Sequence, residues 1–345
     1  MDKKKLITSF VFIIIVGAVI ISLTVSKKSY AVGTTLVDTV KALNKGSSWS
    51  AGASGVYYTN SHEYRYIGAE VNNYVKFNND LYRIIGVFDS NSHGVSNTEL
   101  VKLIRTRSLG GYSWGVYNTD NSAGTYSGYA NDWTGKSKTS KANLNVLFNE
   151  YFYNKTDTSS TYGDCANWTY YHSGNSYKTK DCSDIITYGI DSSLRGYIET
   201  TTWYLYGSGT SQSKQNWYLC ERGGNSCTPS GPNKGDTSVT SKIGLMYLSD
   251  YLYASGYYAS TDTSTQGQQY YGNKNWLYKG LEWTLTPYAS GSTFVWDTSY
   301  GYVYDDSAFI PSGSRPTFYL KSSVYVTGGN GSFDNPYTLG CDNCS

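Results

Sequence analysis

The chain has 345 residues and a formal charge of +2, but five lysines and one aspartate fall in its first 31 residues, leaving −2 for the rest. That balance excludes the basic footprint of a nucleic-acid binder, and with no glycine-rich phosphate loop neither nucleic acid nor nucleotide is an expected partner. Tyrosine dominates, with 37 residues beside 9 tryptophans and only 16% charged residues.

From the N-terminus, Met1-Asp2-Lys3-Lys4-Lys5 precedes an uncharged run, Leu6 to Val25. About twenty helical residues span roughly 30 Å, the thickness of a bilayer core. The leading lysines favour the cytoplasmic side, so the membrane is an expected partner through Leu6–Val25, with the bulk of the chain outside. Ser29-Tyr30-Ala31 also reads as a small-x-small cleavage signal. Residues 1–31 are therefore either an anchor, giving a single-pass cell-membrane protein, or a signal peptide cut after Ala31, giving a secreted one.

Residues 32–55 read as a short helix and a linker. Leu36, Val40 and Leu43 share a helical face, Thr35 with Asp38 resembles a capping box, and Gly46 closes the helix. Residues 46–55 (GSSWSAGASG) are rich in Gly and Ser and read as flexible. Residues 56–345 form a single extracytoplasmic domain, with a split near 206 as the alternative. Its first strands are expected at Tyr64–Gly68, Tyr74–Phe77 and Leu81–Phe88, with Asn78-Asn79-Asp80 as a hairpin turn, then at Leu100–Arg105. An amphipathic helix follows, with Leu144, Leu147, Phe148 and Tyr151 at helical spacing. Polar tracts at 115–130, 154–183, 206–240 and 256–274 read as surface insertions. Short apolar runs resume at Lys242–Tyr247, Trp283–Leu285, Phe294–Trp296, Gly301–Tyr304, Arg315–Leu320 and Val324–Val326, the last opening a closing β-ribbon. The fold class is α+β, a loop-rich set of short-stranded mixed sheets with few helices.

All six cysteines lie in the second half, in polar surroundings that suit disulfides in an oxidising compartment. Proximity in sequence pairs Cys165 with Cys182, Cys220 with Cys227 and Cys341 with Cys344, although six cysteines allow 15 connectivities. Cys341 and Cys344 also have zinc-ligand spacing, but no second such pair exists, and no metal is expected.

Residues 73–88 (NYVKFNNDLYRIIGVF) resemble a recurring block in an uncharacterised family of surface or secreted proteins from Gram-positive gut bacteria, a domain of unknown function. Val101–Arg105, Lys242–Tyr247, Trp283–Pro287, Arg315–Leu320 and Asn335–Leu339 follow in that family's order, so the resemblance covers roughly residues 34–340. The Trp-Thr-x-Thr, Gly-x-Val and Arg-Pro ending is similar to that of C-type-lectin-like and formylglycine-generating-enzyme-like folds. The resemblance implies a binding scaffold. Some relatives carry a prepilin N-terminus, whose Gly-Phe-Thr-Leu-x-Glu motif is missing here.

Catalytic chemistry is thinly represented. His62, His93 and His172 lie in polar segments, read as exposed loops, and none stands beside a glycine-framed serine. Glu199, Asp250, Glu282, Asp297, Asp305 and Asp306 are the acids from which a glycosidase pair would come. Glu199 near Trp203 and Glu282 beside Trp283 are favoured, because sugars stack on indoles. No catalytic residue and no cofactor is assigned. The aromatic stretch Trp283, Tyr288, Trp296, Tyr300, Tyr302 and Tyr304 is the candidate ligand-binding set, with Tyr302 and Tyr304 on one strand face and Val303 on the other. A ligand platform for glycan or protein and a plain tyrosine-coated sheet surface are both open. The expected function is a surface-displayed, adhesin-like binding protein without enzymatic activity. A structural or pilus-like envelope component and an envelope-acting glycoside hydrolase are the alternatives.

Overall fold

Two β-sheets, each combining strands from early and late in the chain, organise the molecule. The computed structural model describes residues 33–115, 133, 144–154, 169–172, 175–178, 183–210, 212–224, 227–229, 237–256, 274–291, 293–308 and 310–344. Contacts gather Val32–Ser345 into one unit, separate from Met1–Ala31. The expected helix Leu6–Val25, the Cys165–Cys182 pair and most of the polar tracts lie outside the described residues. Among the described residues no helix is long and apolar enough to cross a membrane.

The seven-stranded sheet runs in the order Gly55–Tyr58, Tyr64–Ile67, Asp80–Phe88, Leu100–Arg105, Thr317–Leu320 and Ile243–Gly244, with Tyr74–Phe77 also paired to Asp80–Phe88. Asn78 and Asn79, at φ 55° and 56°, make the two-residue turn between Phe77 and its partner Asp80. Asparagine tolerates this left-handed conformation, and the turn's twist matches that of the strands. Leu100–Arg105 is buried at every position, including Lys102 and Arg105. This explains the absence of apolar–polar alternation there, since a central strand is covered on both faces.

The five-stranded sheet has the order Tyr302–Ser307, Phe294–Ser299, Glu282–Pro287, Pro311–Gly313 and Gly111–Ser113. Tyr302–Ser307 is an edge strand. The closing ribbon pairs Tyr325–Gly328 with Thr338–Gly340, and Thr35 bridges Tyr325, so the two ends of the body meet. Trp49, Trp114, Trp133, Trp203, Trp217, Trp276, Trp283 and Trp296 are all buried. The tryptophans thus build the core, each large ring removing much apolar area from water.

The α+β class with few helices is as expected, and several details differ. The helix Leu36–Lys41 has Thr35 as its cap, which accepts from the Asp38 amide at 3.1 Å. It ends well before Gly46. Residues 46–55 are not a linker: Trp49 is buried against Tyr57, Gly46 accepts from the Tyr58 amide at 2.9 Å, and Gly52 donates to Gly256 at 2.6 Å. One indole in a polar stretch supplied the anchoring burial. Residues 206–240 contain the helix Lys214–Glu221, which buries Trp217, Tyr218, Cys220 and Glu221. The helix beginning at Leu144 widens into a π-helix over Leu147–Tyr153. Hydrogen bonding to the fifth residue brings Phe152 onto the face of Leu147 and both are buried. His93 is fully buried rather than exposed, with Nε2 3.1 Å from the Phe88 carbonyl. Asp89 caps the single turn Ser90–His93 and Gly94, at φ 73°, ends it, which folds the ring inward.

Candidate functional site

The Phe294–Ser299 and Tyr302–Ser307 strands form a hairpin in which Ser299 pairs with Tyr302. The two turn residues, Tyr300 and Gly301, have φ 49° and 89°. Such a turn suits the strand twist but wants Gly, Asn or Asp at its first position. A tyrosine there costs about 1–2 kcal/mol in backbone strain. Burial does not offset it, because Tyr300 is 70% exposed. Tyr302 and Tyr304 share one face with ring centroids 5.8 Å apart, while Val303 points to the core at 4% exposure. Tyr304 is 44% exposed and Tyr302 half-buried.

Register decides which candidates join them. Trp283 pairs with Asp297, and Asp297 with Tyr304. Directly opposed residues project from the same side of a sheet, so these three side chains form one row. Trp283 nevertheless belongs to the core, with its Nε1 donating to the Tyr112 carbonyl at 2.8 Å. Trp296 projects from the other side, is fully buried, donates to Ser208 at 2.8 Å and packs on Trp217 at 5.1 Å. Both tryptophans are therefore withdrawn from the ligand-binding set. Tyr288 is half-buried against Trp296 at 5.5 Å and Phe294 at 6.2 Å, on the side away from Tyr302 and Tyr304. Tyr300, Tyr302 and Tyr304 remain as the exposed group.

Across from Tyr304 on the neighbouring strand lies an unusual acid. Asp297 is 1% exposed, and neither carboxyl oxygen has a hydrogen-bond partner. Burial, reinforced by Asp306 and Asp305, pushes its carboxyl up to about 8. The shift favours the protonated form, which can donate a hydrogen bond. Asp306 projects from the same side, diagonal to Asp297, and its Oδ1 accepts from the Ser307 amide at 2.7 Å. Asp305 lies on the opposite side, paired with Trp296.

The acids favoured for hydrolysis are placed otherwise. Glu282 is buried in an ion pair with Arg315 at 2.6 Å. Glu199 accepts from the Thr200 amide and lies beside the seven-stranded sheet, through the Ile198–Leu320 bridge. Glu282 is on a strand of the five-stranded sheet, whereas Glu199 is in a loop beside the seven-stranded one. Asp250 belongs to a fully buried cluster that sequence reasoning did not assemble. Its oxygens accept from Arg65 at 2.8 Å, Lys102 at 2.6 Å and the Tyr247 amide at 2.9 Å. Glu63 accepts from Arg65 and from the Ser92 hydroxyl. Glu221 accepts from the Ser249 amide, the Ser249 hydroxyl and Thr286. Arg222 closes the cluster, 3.6 Å from Glu221 and stacked 3.8 Å from the Tyr218 ring. Burial pushes Asp250 up, but Lys102 and Arg65 outweigh it and hold the carboxyl down to about 2. Every acid here is saturated by neighbours, which is the arrangement of a structural ion network rather than of a poised acid and base.

Cys220–Cys227 and Cys341–Cys344 are disulfides, the second of which removes that pair from metal binding. Among the described residues no group of three or more His, Cys, Asp or Glu is arranged to hold a metal ion. A cleft of about 200 Å³ lined by Gly52, Ala53, Ser54, Ala69, Glu70, Gly256 and Lys274 contains none of the predicted residues. Tyr-Gly is not a favoured hairpin turn, so no local signal marks the hairpin tip, and none marks Asp297 as unpartnered. Comparison with protein-family models, curated proteins and solved structures finds no match to this chain.

Proposed function

We propose that this protein is a non-enzymatic binding protein displayed at the cell surface, adhesin-like, with the Tyr300–Tyr304 hairpin as its glycan-binding face. The observation that carries the reading is Tyr300, a bulky ring held at φ 49° and 70% exposed at the hairpin tip. Strain retained without compensating burial marks a residue kept for what it contacts. Tyr302 and Tyr304 extend the aromatic surface along one side of an edge strand, and sugar rings stack on such faces. Two disulfides suit an oxidising exterior. The N-terminal run Leu6–Val25 supplies the anchor, or the signal for secretion. The resemblance to Gram-positive surface proteins and a C-type-lectin-like scaffold belong to the same proposal, and the meeting of the body's two ends suits a looped scaffold.

The test is a binding screen of the disulfide-intact protein against host-type glycans and bacterial wall polymers, with sugar release assayed in parallel. Binding that falls at least tenfold in Tyr300→Gly and in Tyr304→Ala, without sugar release, supports the reading. Binding indifferent to both substitutions removes the hairpin as the site, and sugar release replaces the binding protein with a hydrolase.

A further inference from the structure

Asp297 is nine-tenths or more buried, projects from the same side as Tyr302 and Tyr304, and satisfies neither of its oxygens. A buried carboxyl left in this state loses about 1–3 kcal/mol or more relative to a paired one, so it asks for a partner from outside the chain. Asp306 projects from the same side, one pair along. Among the described residues no Lys or Arg forms an ion pair with Asp297 or Asp306. Neither acid thus has a cationic partner among the described residues. A metal ion is not the natural candidate, since no three-ligand group is present among the described residues. The other lining groups are aromatic: Tyr304 directly across from Asp297, and Tyr302 with its ring 5.8 Å from that of Tyr304. Carboxylates beside ring faces form the environment that selects an organic ammonium, by charge-assisted hydrogen bonds on one side and cation–π attraction on the other.

Resting on the reading of this hairpin as a glycan-binding face, we propose that its ligand is a glycan carrying free amino sugars, whose ammonium group is held by Asp297 and Asp306 against the rings of Tyr302 and Tyr304. Tyr304, the cross-strand neighbour of Asp297, lies on the edge strand and is itself 44% exposed, so the acid sits one strand in from the solvent edge. The titratable groups facing the site from the strands that flank Asp297 are Tyr302, Tyr304 and Asp306, with Asp305 adding its charge from the opposite side. Because Asp297 carries a proton at pH 7 before binding, an arriving ammonium favours its ionisation. The proton leaves to the buffer as the carboxylate–ammonium pair forms. Binding therefore releases protons to the buffer at pH 7 in proportion to the fraction of the incoming amine that is already charged.

Titration calorimetry on the full chain tests this, with the glucosamine tetrasaccharide and its N-acetylated counterpart, at pH 7, in phosphate and in Tris. The expected result is a preference of tenfold or more for the free amine and a buffer-dependent heat reporting proton release. Asp297→Asn, which keeps the shape of the neutral acid, abolishes the proton release and most of the preference; Asp306→Asn reduces the preference without removing the proton release. Equal affinity for the two oligosaccharides, lost in Tyr304→Ala, overturns the amine inference while leaving the glycan-binding face intact. No binding of either overturns the amino-sugar assignment; a wall-polymer signal in the wider screen would then keep the binding reading alone. Tight binding of a lysine-rich peptide in place of the amino sugar overturns the glycan class.

Discussion

Asp250 and Asp297 are each 1% exposed, yet the chain treats them in opposite ways. Asp250 sits between Arg65 and Lys102, accepts a backbone amide as well, and stays ionised. Asp297 accepts from no other residue, has two other aspartates near it, and its carboxyl is pushed up to about 8. The first acid lies among strands of the central sheet whose side chains come from residues far apart in sequence. The second lies one strand in from an open edge, directly across from a tyrosine. Equal burial therefore says little about role. What separates a structural acid from a candidate site is whether the surrounding polar groups close on it.

The largest effect that would sharpen this contrast is at Asp250. Asp250→Ala leaves Lys102 buried without its counter-ion and Arg65 with Glu63 alone, and should destabilise the fold by about 3–5 kcal/mol in urea unfolding. A loss below about 1 kcal/mol would mean that the cluster is not the keystone its geometry indicates.

Next comes Asp297 itself. Its folded carboxyl titrates at about 8, and an unfolded aspartate near 3.9. Between those values the folded state binds more protons than the unfolded state. Stability therefore falls as pH rises through that window and levels off above about 8. The contribution is on the order of a few kcal/mol. Asp297→Asn should flatten this part of the pH–stability curve and be more stable than the parent at pH 8. If parent and variant curves run parallel, the acid is ionised after all and the contrast with Asp250 disappears.

Reduction of the disulfides addresses the same comparison from the side of the ion cluster. Cys220–Cys227 closes a short loop whose first cysteine immediately precedes Glu221 and Arg222. Breaking it should lower stability by about 2 kcal/mol. Hydrogen exchange should then quicken over Lys214–Glu221 while the Tyr300 hairpin keeps its protection. Equal loosening of both regions would show that they are one cooperative unit.

The smallest effect is at the hairpin tip. Tyr300→Gly relieves the left-handed strain and should raise stability by about 1 kcal/mol while weakening ligand binding. Gain of stability with unchanged binding would leave the tyrosine unexplained.

Much of the strand framework was legible along the chain. The Asn78-Asn79 turn, the Thr35 cap, the run Leu100–Arg105 and the late strands could be placed because turn chemistry and apolar patterning are local. The alternation in Tyr302-Val303-Tyr304 puts the two tyrosines on one face and Val303 on the other, since side-chain direction in a strand has a fixed period; which face is core came from the tertiary structure. Trp283 and Trp296 could not be separated from Tyr300 in this way. A tryptophan in an aromatic stretch has the same local pattern whether it faces solvent or another sheet, and only the packing of Trp217 and Tyr112 against them settled the matter. The buried His93 and the helix Lys214–Glu221 were hidden for the converse reason: short polar segments that a few buried rings pull inward carry almost no periodic signal.

By itself the sequence determined the class of fold, the uncharged N-terminal run, the cysteine-rich second half and the tyrosine-dominated composition, all properties of residues and their near neighbours. Tertiary structure alone decided which rings are core and which are surface, and which acids are compensated. Those outcomes depend on partners such as Arg65 for Asp250, 185 positions apart in the chain, and on the absence of any such partner at Asp297. Pairing across that distance is set by how strands align and sheets pack, and no local pattern encodes it.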